Sequence, residues 1–236
     1  MELIERAETW LEKEAPIETR QDNSLPAEVL LTDLARLRLQ MSNAAGKPMI
    51  VRRHTGDSVG EFLEREDCKD LARRGPLTPD HIIRTKRLPM MGANEDSLDQ
   101  YVEEYKAYVE EFRHRIRTEF TEIDPAPRIV LDPEIGMLTA GFTATDAQIA
   151  ADIYHHTIPV LCRAEDHLGG YKALSAEELF DVEYWDLEQA KLRKTGEPPE
   201  LNGTVALVTG AASGIGKACA EAVSYTHLTL PTNREV

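Results

Sequence analysis

The sequence predicts an α/β architecture, and three features carry that expectation. Stretches with apolar residues at helical spacing alternate with short apolar runs of strand length. Glycine or proline marks the breaks between them, at Pro16, Gly46, Pro125 and Pro127, and Gly169–Gly170. Near the C-terminus an apolar run, Val205–Val208, passes directly into a glycine-rich turn and then into a helical stretch.

Taken in order, Leu3, Ile4, Ala7, Trp10 and Leu11 recur at helical spacing with acidic residues between them, so a helix is expected to end before Pro16. It opens abruptly, with no capping residue ahead of the apolar pattern. A second helix is expected over 27–43, apolar at Val29, Leu30, Leu34, Leu37 and Met41, with Gly46 just past its end. Pro48–Val51 reads as a strand and Val59–Glu66 as a helix. Thr78 and Pro79 read as the N-cap and first position of another helix. Ser97–Phe120 is the longest helical pattern, with Leu98, Tyr101, Val102, Tyr105, Val109, Phe112 and Ile116 on one stripe. Arg128–Leu131 and Ile135–Phe142 read as strands. Thr143–Asp146 opens a helix that continues to Leu168 and should kink or break near 156–158, because Pro159 lies inside it. Leu192–Asn202 (LRKTGEPPELN) has the composition of a linker and places a domain boundary there.

Composition excludes several classes. The net charge of −15 disfavours nonspecific binding to nucleic acid or to an anionic membrane. No apolar stretch approaches the roughly 20 residues needed to span a bilayer, and the acidic first helix is not a secretory signal. Cys68, Cys162 and Cys219 form no C-x-x-C pair, which fits a reducing cytoplasm better than a disulfide framework. Oligomeric state is not legible.

The chemistry concentrates in Thr209–Gly216 (TGAASGIG). A pyrophosphate needs several backbone N–H groups aimed at it with no side chain between. Gly210 lets the chain leave a strand in a tight turn, Gly214 removes the Cβ that would block approach, and Gly216 allows the helix to pack on the strand. Ser213 can donate from its hydroxyl, and Thr209 can fix the turn through its side chain. LVTGAASGIGKACAEA resembles the first strand, glycine loop and first helix of the short-chain dehydrogenase/reductase family, over about Val205–Ala222. That resemblance implies a Rossmann-type βα unit in which Thr209, Gly210, Ser213, Gly214, Ile215 and Gly216 bind NAD or NADP. The family's Tyr-x-x-x-Lys pair is absent, since none of the seven tyrosines has Lys four residues on.

Upstream, RRGPLTPDHIIRTKRLPM (Arg73–Met90), DPAPRIVLDPEIGMLTAGFTATDAQIAADI (Asp124–Ile153) and GGYKALSAEELFDVEYWDLEQAKL (Gly169–Leu192) resemble the bifunctional rhamnulose-1-phosphate aldolase/alcohol dehydrogenases. Those proteins join a class II aldolase domain to a short-chain dehydrogenase domain. The resemblance implies the C-terminal part of an aldolase-type α/β domain over 1–191, a linker over 192–202 and the start of a Rossmann domain over 203–222. It implies a parent enzyme that cleaves a sugar phosphate to dihydroxyacetone phosphate and lactaldehyde, and then transfers hydride with NAD(P). A divalent metal, usually zinc, serves that aldolase through histidines that include an H-x-H pair. This chain has His54, His81, His114, His155, His156, His167 and His227, and no H-x-H. The implied ligands would therefore precede Met1, which would be an internal methionine. VSYTHLTLPT resembles a translated sequencing adapter, so 223–236 is expected to be an artefactual tail that does not continue the preceding helix, with no role for Tyr225 or His227. A stand-alone dehydrogenase with an N-terminal extension and a non-catalytic interaction module remain alternatives.

Among other residues, His81, Arg84, Lys86 and Arg87 could bind a sugar phosphate; the alternatives are a solvated basic helix face or structural ion pairs. Asp80 and Glu134 are unpaired candidates for acid/base work. His155 and His156 are expected at a helix surface, Tyr184 and Trp185 as packing anchors, and Cys219 as a small buried residue.

Overall fold

The structure is a computed structural model that describes residues 2–14, 31–116, 120–187, 189 and 201–227. Helix α1 (Glu2–Glu14) is followed by α2 (Leu31–Ala45), strand β1 (Ile50–His54), α3 (Asp57–Glu64) and α4 (Cys68–Ala72). A 3₁₀ turn at Pro79–His81 leads into α5 (Ile82–Thr85), then β2 (Met90–Met91) and α6 (Glu95–Phe112), which ends in a second 3₁₀ turn at Arg113–Arg115. Strands β3 (Ile129–Asp132) and β4 (Gly136–Gly141) precede α7 (Ala144–His167), α8 (Ala176–Glu183) and α9 (Gly214–His227).

The four strands form one sheet in the order β1-β4-β3-β2. Antiparallel ladders join β1 to β4 and β4 to β3, while β2 runs parallel to β3. This mixed α/β arrangement is the one that the alternating patterns predict.

The two central strands carry apolar residues at consecutive positions because both their faces are covered. Ile129, Leu131 and Met137 point into a core built with Val59 and Phe62 of α3, Leu71 of α4, and Tyr154, Ile158 and Leu161 of α7. Val130, Leu138 and Ala140 point the other way, onto Leu37 and Met41 of α2, Met90 of β2, and Leu98 and Tyr101 of α6. Each such side chain, fully buried, contributes roughly 1.5–3 kcal/mol, so the β3–β4 hairpin anchors both layers. Asp132 shapes that hairpin. Its Oδ1 accepts from the backbone N–H of Glu134 (2.9 Å) and of Ile135 (3.0 Å), and its Oδ2 accepts from Ala93 at the end of β2 (2.9 Å). A third cluster, Tyr105, Tyr108, Val109, Phe180 and Tyr184, lies between α6 and α8.

The local signals for helix ends hold in most places. Thr143 caps α7 by accepting from Asp146 N at 3.0 Å, and Gly169 and Gly170 end it at positive φ. Gly46 follows α2 at φ +68°, and its N–H donates to the Asn43 carbonyl at 3.1 Å. Four expectations are corrected. Thr78 precedes a 3₁₀ turn, with Pro79 at its first position, and its side chain makes no capping hydrogen bond. The helix expected over Ser97–Phe120 is Glu95–Phe112, started by Asn94, whose side chain accepts from Ser97 N. The longest described helix is instead α7, and it runs unbroken through Pro159. Tyr154, Thr157, Ile158 and Leu161 are buried on both sides of that proline, and their packing offsets the loss of about 3 kcal/mol that an internal proline carries. Finally, α9 continues past Ala222 to His227.

The buried strand expected over Val205–Val208 does not form. The segment lies outside the sheet, with Val205 73% and Leu207 92% exposed. Strand pairing needs a neighbour, and among the described residues no strand lies beside it. Most of the expected linker, 192–200, and the end of the expected tail, 228–236, lie outside the described residues. No helix among the described residues is long and apolar enough to cross a membrane.

Gly141 shows how tightly the sheet meets α7. A Cβ there would lie 2.5 Å from Ala147 N and 2.8 Å from the Asp146 carbonyl carbon, both backbone atoms. Gly141→Ala is therefore expected to destabilise the protein by about 1–3 kcal/mol in denaturant unfolding. Gly56→Ser, at the N-cap of α3 where nothing lies within 4 Å, should stay within about 0.5 kcal/mol.

Candidate functional site

Among the described residues, two places bring polar groups together in ways that side-chain packing alone does not require. The first is the glycine-rich turn. Thr209 and Gly210 begin the turn, and Gly210 adopts φ +65°. Gly214 begins α9 at φ +58°, a conformation that favours glycine. Lys217 N donates to the Ser213 carbonyl at 3.3 Å, so the N–H groups of Gly214, Ile215 and Gly216 precede the first helical bond and point out of the helix end. A Cβ on Gly210 or Gly214 would meet nothing within 4 Å, whereas one on Gly216 would lie 2.5 Å from the Gly210 carbonyl oxygen and 2.7 Å from that of Thr209. Gly216 thus lets the helix close onto the turn, and the other two keep the approach to the N–H groups open. Thr209 and Ser213 are exposed beside them, and Ile215 is 85% exposed. Turn and helix N-terminus follow one another without the predicted strand ahead of them, and the turn is open to solvent.

The second place is buried and was not legible as a site. Lys86 ends α5 at φ +64°, where it is the one described non-glycine residue with positive φ, and it is only 4% exposed. Its Nζ donates to the Asp124 carbonyl at 2.8 Å, lies 3.6 Å from Glu183 Oε1, and sits 4.0 Å from the centre of the Tyr105 ring. Glu183, 2% exposed on α8, accepts from the Tyr105 hydroxyl at 2.9 Å. The Tyr108 hydroxyl also faces this carboxylate, though outside hydrogen-bonding geometry, and both it and Glu183 Oε2 are buried without a partner. Alongside, Asp124 Oδ2 accepts from Arg128 Nη2 at 2.6 Å, and Arg128 lies 5.0 Å from the centre of the Phe142 ring. Burial pushes the Lys86 ammonium down to about 8 and the Glu183 carboxyl up, because desolvation outweighs their mutual attraction. Burial works the same way on Asp124, but Arg128 overcomes it and holds that carboxyl below its usual range.

A lysine poised near neutrality beside a carboxylate could exchange protons with a substrate. Here its ammonium is already engaged by a carbonyl, a carboxylate and an aromatic face. The arrangement is a tie among α5, α6, α8 and the approach to β3. Structural ion pairs, not a solvated basic face, describe these residues: Lys86 is inside beside Glu183, Arg84 pairs with Asp146 at 3.2 Å, and Arg87 lies 4.6 Å from the centre of the Tyr108 ring. His81 is half-buried, with Nδ1 unpartnered. The sequence did hold one clue. Leu179, Phe180, Glu183 and Tyr184 share one helical face, so a carboxylate occupies a core position among three apolar or aromatic neighbours.

The remaining candidates are scattered. Asp80 and Glu134 are exposed. His156 is exposed on α7, while His155 is half-buried and meets His54 edge-on with ring centres 5.5 Å apart. His54 Nε2 lies 2.8 Å from Thr139 Oγ1, and burial and His155 lower its pKa. Tyr184 is buried as expected, but Trp185 is 54% exposed and Cys219 is exposed. Trp185 lies just past the end of α8 and Cys219 on α9, and no described element covers either side chain. Among the described residues no group of three or more His, Cys, Asp or Glu side chains could hold a metal ion.

Removing one partner of a buried ion pair leaves the other charge uncompensated. Lys86→Met and Glu183→Gln are each expected to cost about 3–5 kcal/mol, and the double variant less than their sum, in a double-mutant cycle by denaturant unfolding. A pH dependence accompanies the lysine. Folded Lys86 gives up its proton near 8 and the unfolded side chain near 10.5, so between these values the unfolded chain binds more protons and stability rises with pH. Measured from about pH 8 to about pH 9.5, the unmodified protein should gain stability and Lys86→Met should lack that gain.

Comparison with known proteins fits the sheet and its flanking helices. The family described as aldolase class II, second domain, matches residues 28–192. "Uncharacterized oxidoreductase YuxG" of Bacillus subtilis (strain 168) is 32% identical over 183 residues, which cover 73% of this chain and 26% of that protein. The chain thus spans about a quarter of the length of this relative. No solved structure matches. With the match covering all of β1–β4 and α2–α8, the chain belongs to the aldolase class II, second-domain family.

Proposed function

We propose that this chain is part of a two-unit enzyme of sugar catabolism, in which an aldolase-type domain is followed by an NAD(P)-dependent dehydrogenase of the short-chain type. One observation carries the proposal: a class II aldolase match that ends at residue 192 is followed at 209–216 by a glycine-rich turn opening a helix. The name of the B. subtilis relative, an oxidoreductase, supports the same combination. The parent reaction would cleave rhamnulose 1-phosphate to dihydroxyacetone phosphate and lactaldehyde. The second unit would then oxidise or reduce the lactaldehyde in the cytoplasm.

A nicotinamide dinucleotide would supply the hydride acceptor or donor. The residues at the turn fit its pyrophosphate. The N–H groups of Gly214, Ile215 and Gly216 would bind the anion, reinforced by the helix dipole, and the space beside Gly210 and Gly214 would admit it. Thr209 would hold the turn and Ser213 would add a hydroxyl donor. The described residues do not fit the divalent metal of an aldolase, so no step through a metal is assigned to them.

The turn alone would contact phosphate and leave the rest of a dinucleotide in water, so the 236 residues by themselves should bind NAD or NADP no tighter than about millimolar. They should also release no dihydroxyacetone phosphate from rhamnulose 1-phosphate. In an NMR titration, millimolar NAD or NADP is expected to shift the amide resonances of 209–216, and Gly216→Val should abolish those shifts. Shifts confined to other residues, or unchanged in the variant, would count against the proposal. So would micromolar affinity by calorimetry.

A further inference from the structure

The residues that lead into the glycine-rich unit are seated on the sheet by contacts that a mere connector does not need. Gly203 is buried, with φ +72°. A Cβ there would collide with the Pro48 carbonyl, whose carbon would be 2.8 Å away, and would lie 3.2 Å from the Phe142 carbonyl oxygen. Pro48 leads into β1 and Phe142 follows β4, and these strands pair with Ile50 opposite Gly141. Gly203 therefore abuts the backbone that flanks both strands at one end of their ladder.

Arg38 of α2 spans the contact. Its Nε donates to the Met49 carbonyl at 2.6 Å and its Nη2 to the Gly203 carbonyl at 2.9 Å. The fork geometry of a guanidinium lets one side chain hold two carbonyls that belong to different segments. Arg38 is itself placed by Ser42, whose hydroxyl donates to the Arg38 carbonyl at 2.7 Å and accepts from Met49 N at 3.1 Å. On the other side, Thr204 closes 201–204 into a turn, with its N–H and its hydroxyl donating to the Leu201 carbonyl at 3.1 and 2.7 Å. The seat is stiffened by Phe142, whose ring centre lies 5.0 Å from Arg128 and 5.7 Å from Lys47. Through Arg128 and Asp124 it connects to the buried tie at Lys86.

We propose that Gly203 and Arg38 form a fixed joint that seats residues 201–204 on the β1–β4 end of the sheet. A connector of polar, glycine- and proline-containing composition tolerates most residues and moves freely. Here the backbone has no room for a side chain, and its carbonyl is held by a charged donor. That the joint sets the orientation of a dinucleotide-binding turn relative to the aldolase-type domain rests on the function proposed above. The joint itself does not.

Backbone ¹⁵N relaxation on the full chain, without any dinucleotide, tests the joint. In the unmodified protein the amides of Asn202, Gly203 and Thr204 should show order parameters like those of β4, about 0.85. Gly203→Ala should lower them below about 0.6 while β4 stays rigid. Arg38→Lys should do the same, because one ammonium cannot reproduce the two-carbonyl fork. Values already below about 0.6 in the unmodified protein, or rigid values retained in the variants, overturn the proposal. If Gly203→Ala does not fold, the unmodified protein and Arg38→Lys decide. Because no nucleotide is present, failure of the joint and failure of dinucleotide binding are separately visible.

Discussion

The structure depends on the burial of β3 and β4 on both faces. Ile129, Leu131 and Met137 on one side, and Val130, Leu138 and Ala140 on the other, are all removed from water. Neither strand can be stripped of a covering layer without exposing a row of apolar side chains. That requirement holds α3, α4 and α7 on one face and α2 and α6 on the other. It also keeps α7 intact across Pro159, since an interruption there would lift Tyr154 or Leu161 out of the core.

The electrostatic tie at Lys86 is a consequence of that arrangement rather than its cause. Aromatic rings fill the space between α6 and α8, and the two buried charges there each make one hydrogen bond, Lys86 to the Asp124 carbonyl and Glu183 from the Tyr105 hydroxyl. Buried ion pairs of this kind are weak evidence for net stabilisation, because desolvation cancels most of the attraction. Their effect is on uniqueness: one lysine with a strained backbone, one carboxylate and one hydroxyl must all be in register for any of them to be tolerated. The strain at Lys86, of order 1–3 kcal/mol, persists because its surroundings over-determine it.

The glycine-rich turn is organised by purely local physics. Positive φ at Gly210 and Gly214, and close approach at Gly216, depend on residues a few positions apart. The turn therefore takes its shape although Val205 and Leu207 before it are exposed. Arg38 and Gly203 join the segment ahead of this turn to the end of the β1–β4 ladder.

Local signals were thus legible and long-range ones were not. Alternating apolar patterns announced the α/β class, the strands near β3 and β4, the cap at Thr143 and the stop at Gly169–Gly170, because these are decided by side-chain period and backbone preference within a few residues. The turn at Thr209–Gly216 was visible for the same reason. Tertiary packing alone decided that Lys86 goes inside while Trp185 and Cys219 stay out, that Pro159 fails to break its helix, and that Val205–Val208 finds no strand to pair with. Each of these turns on which distant surface arrives to cover a side chain or bond a backbone group, and spacing along the chain carries no record of that.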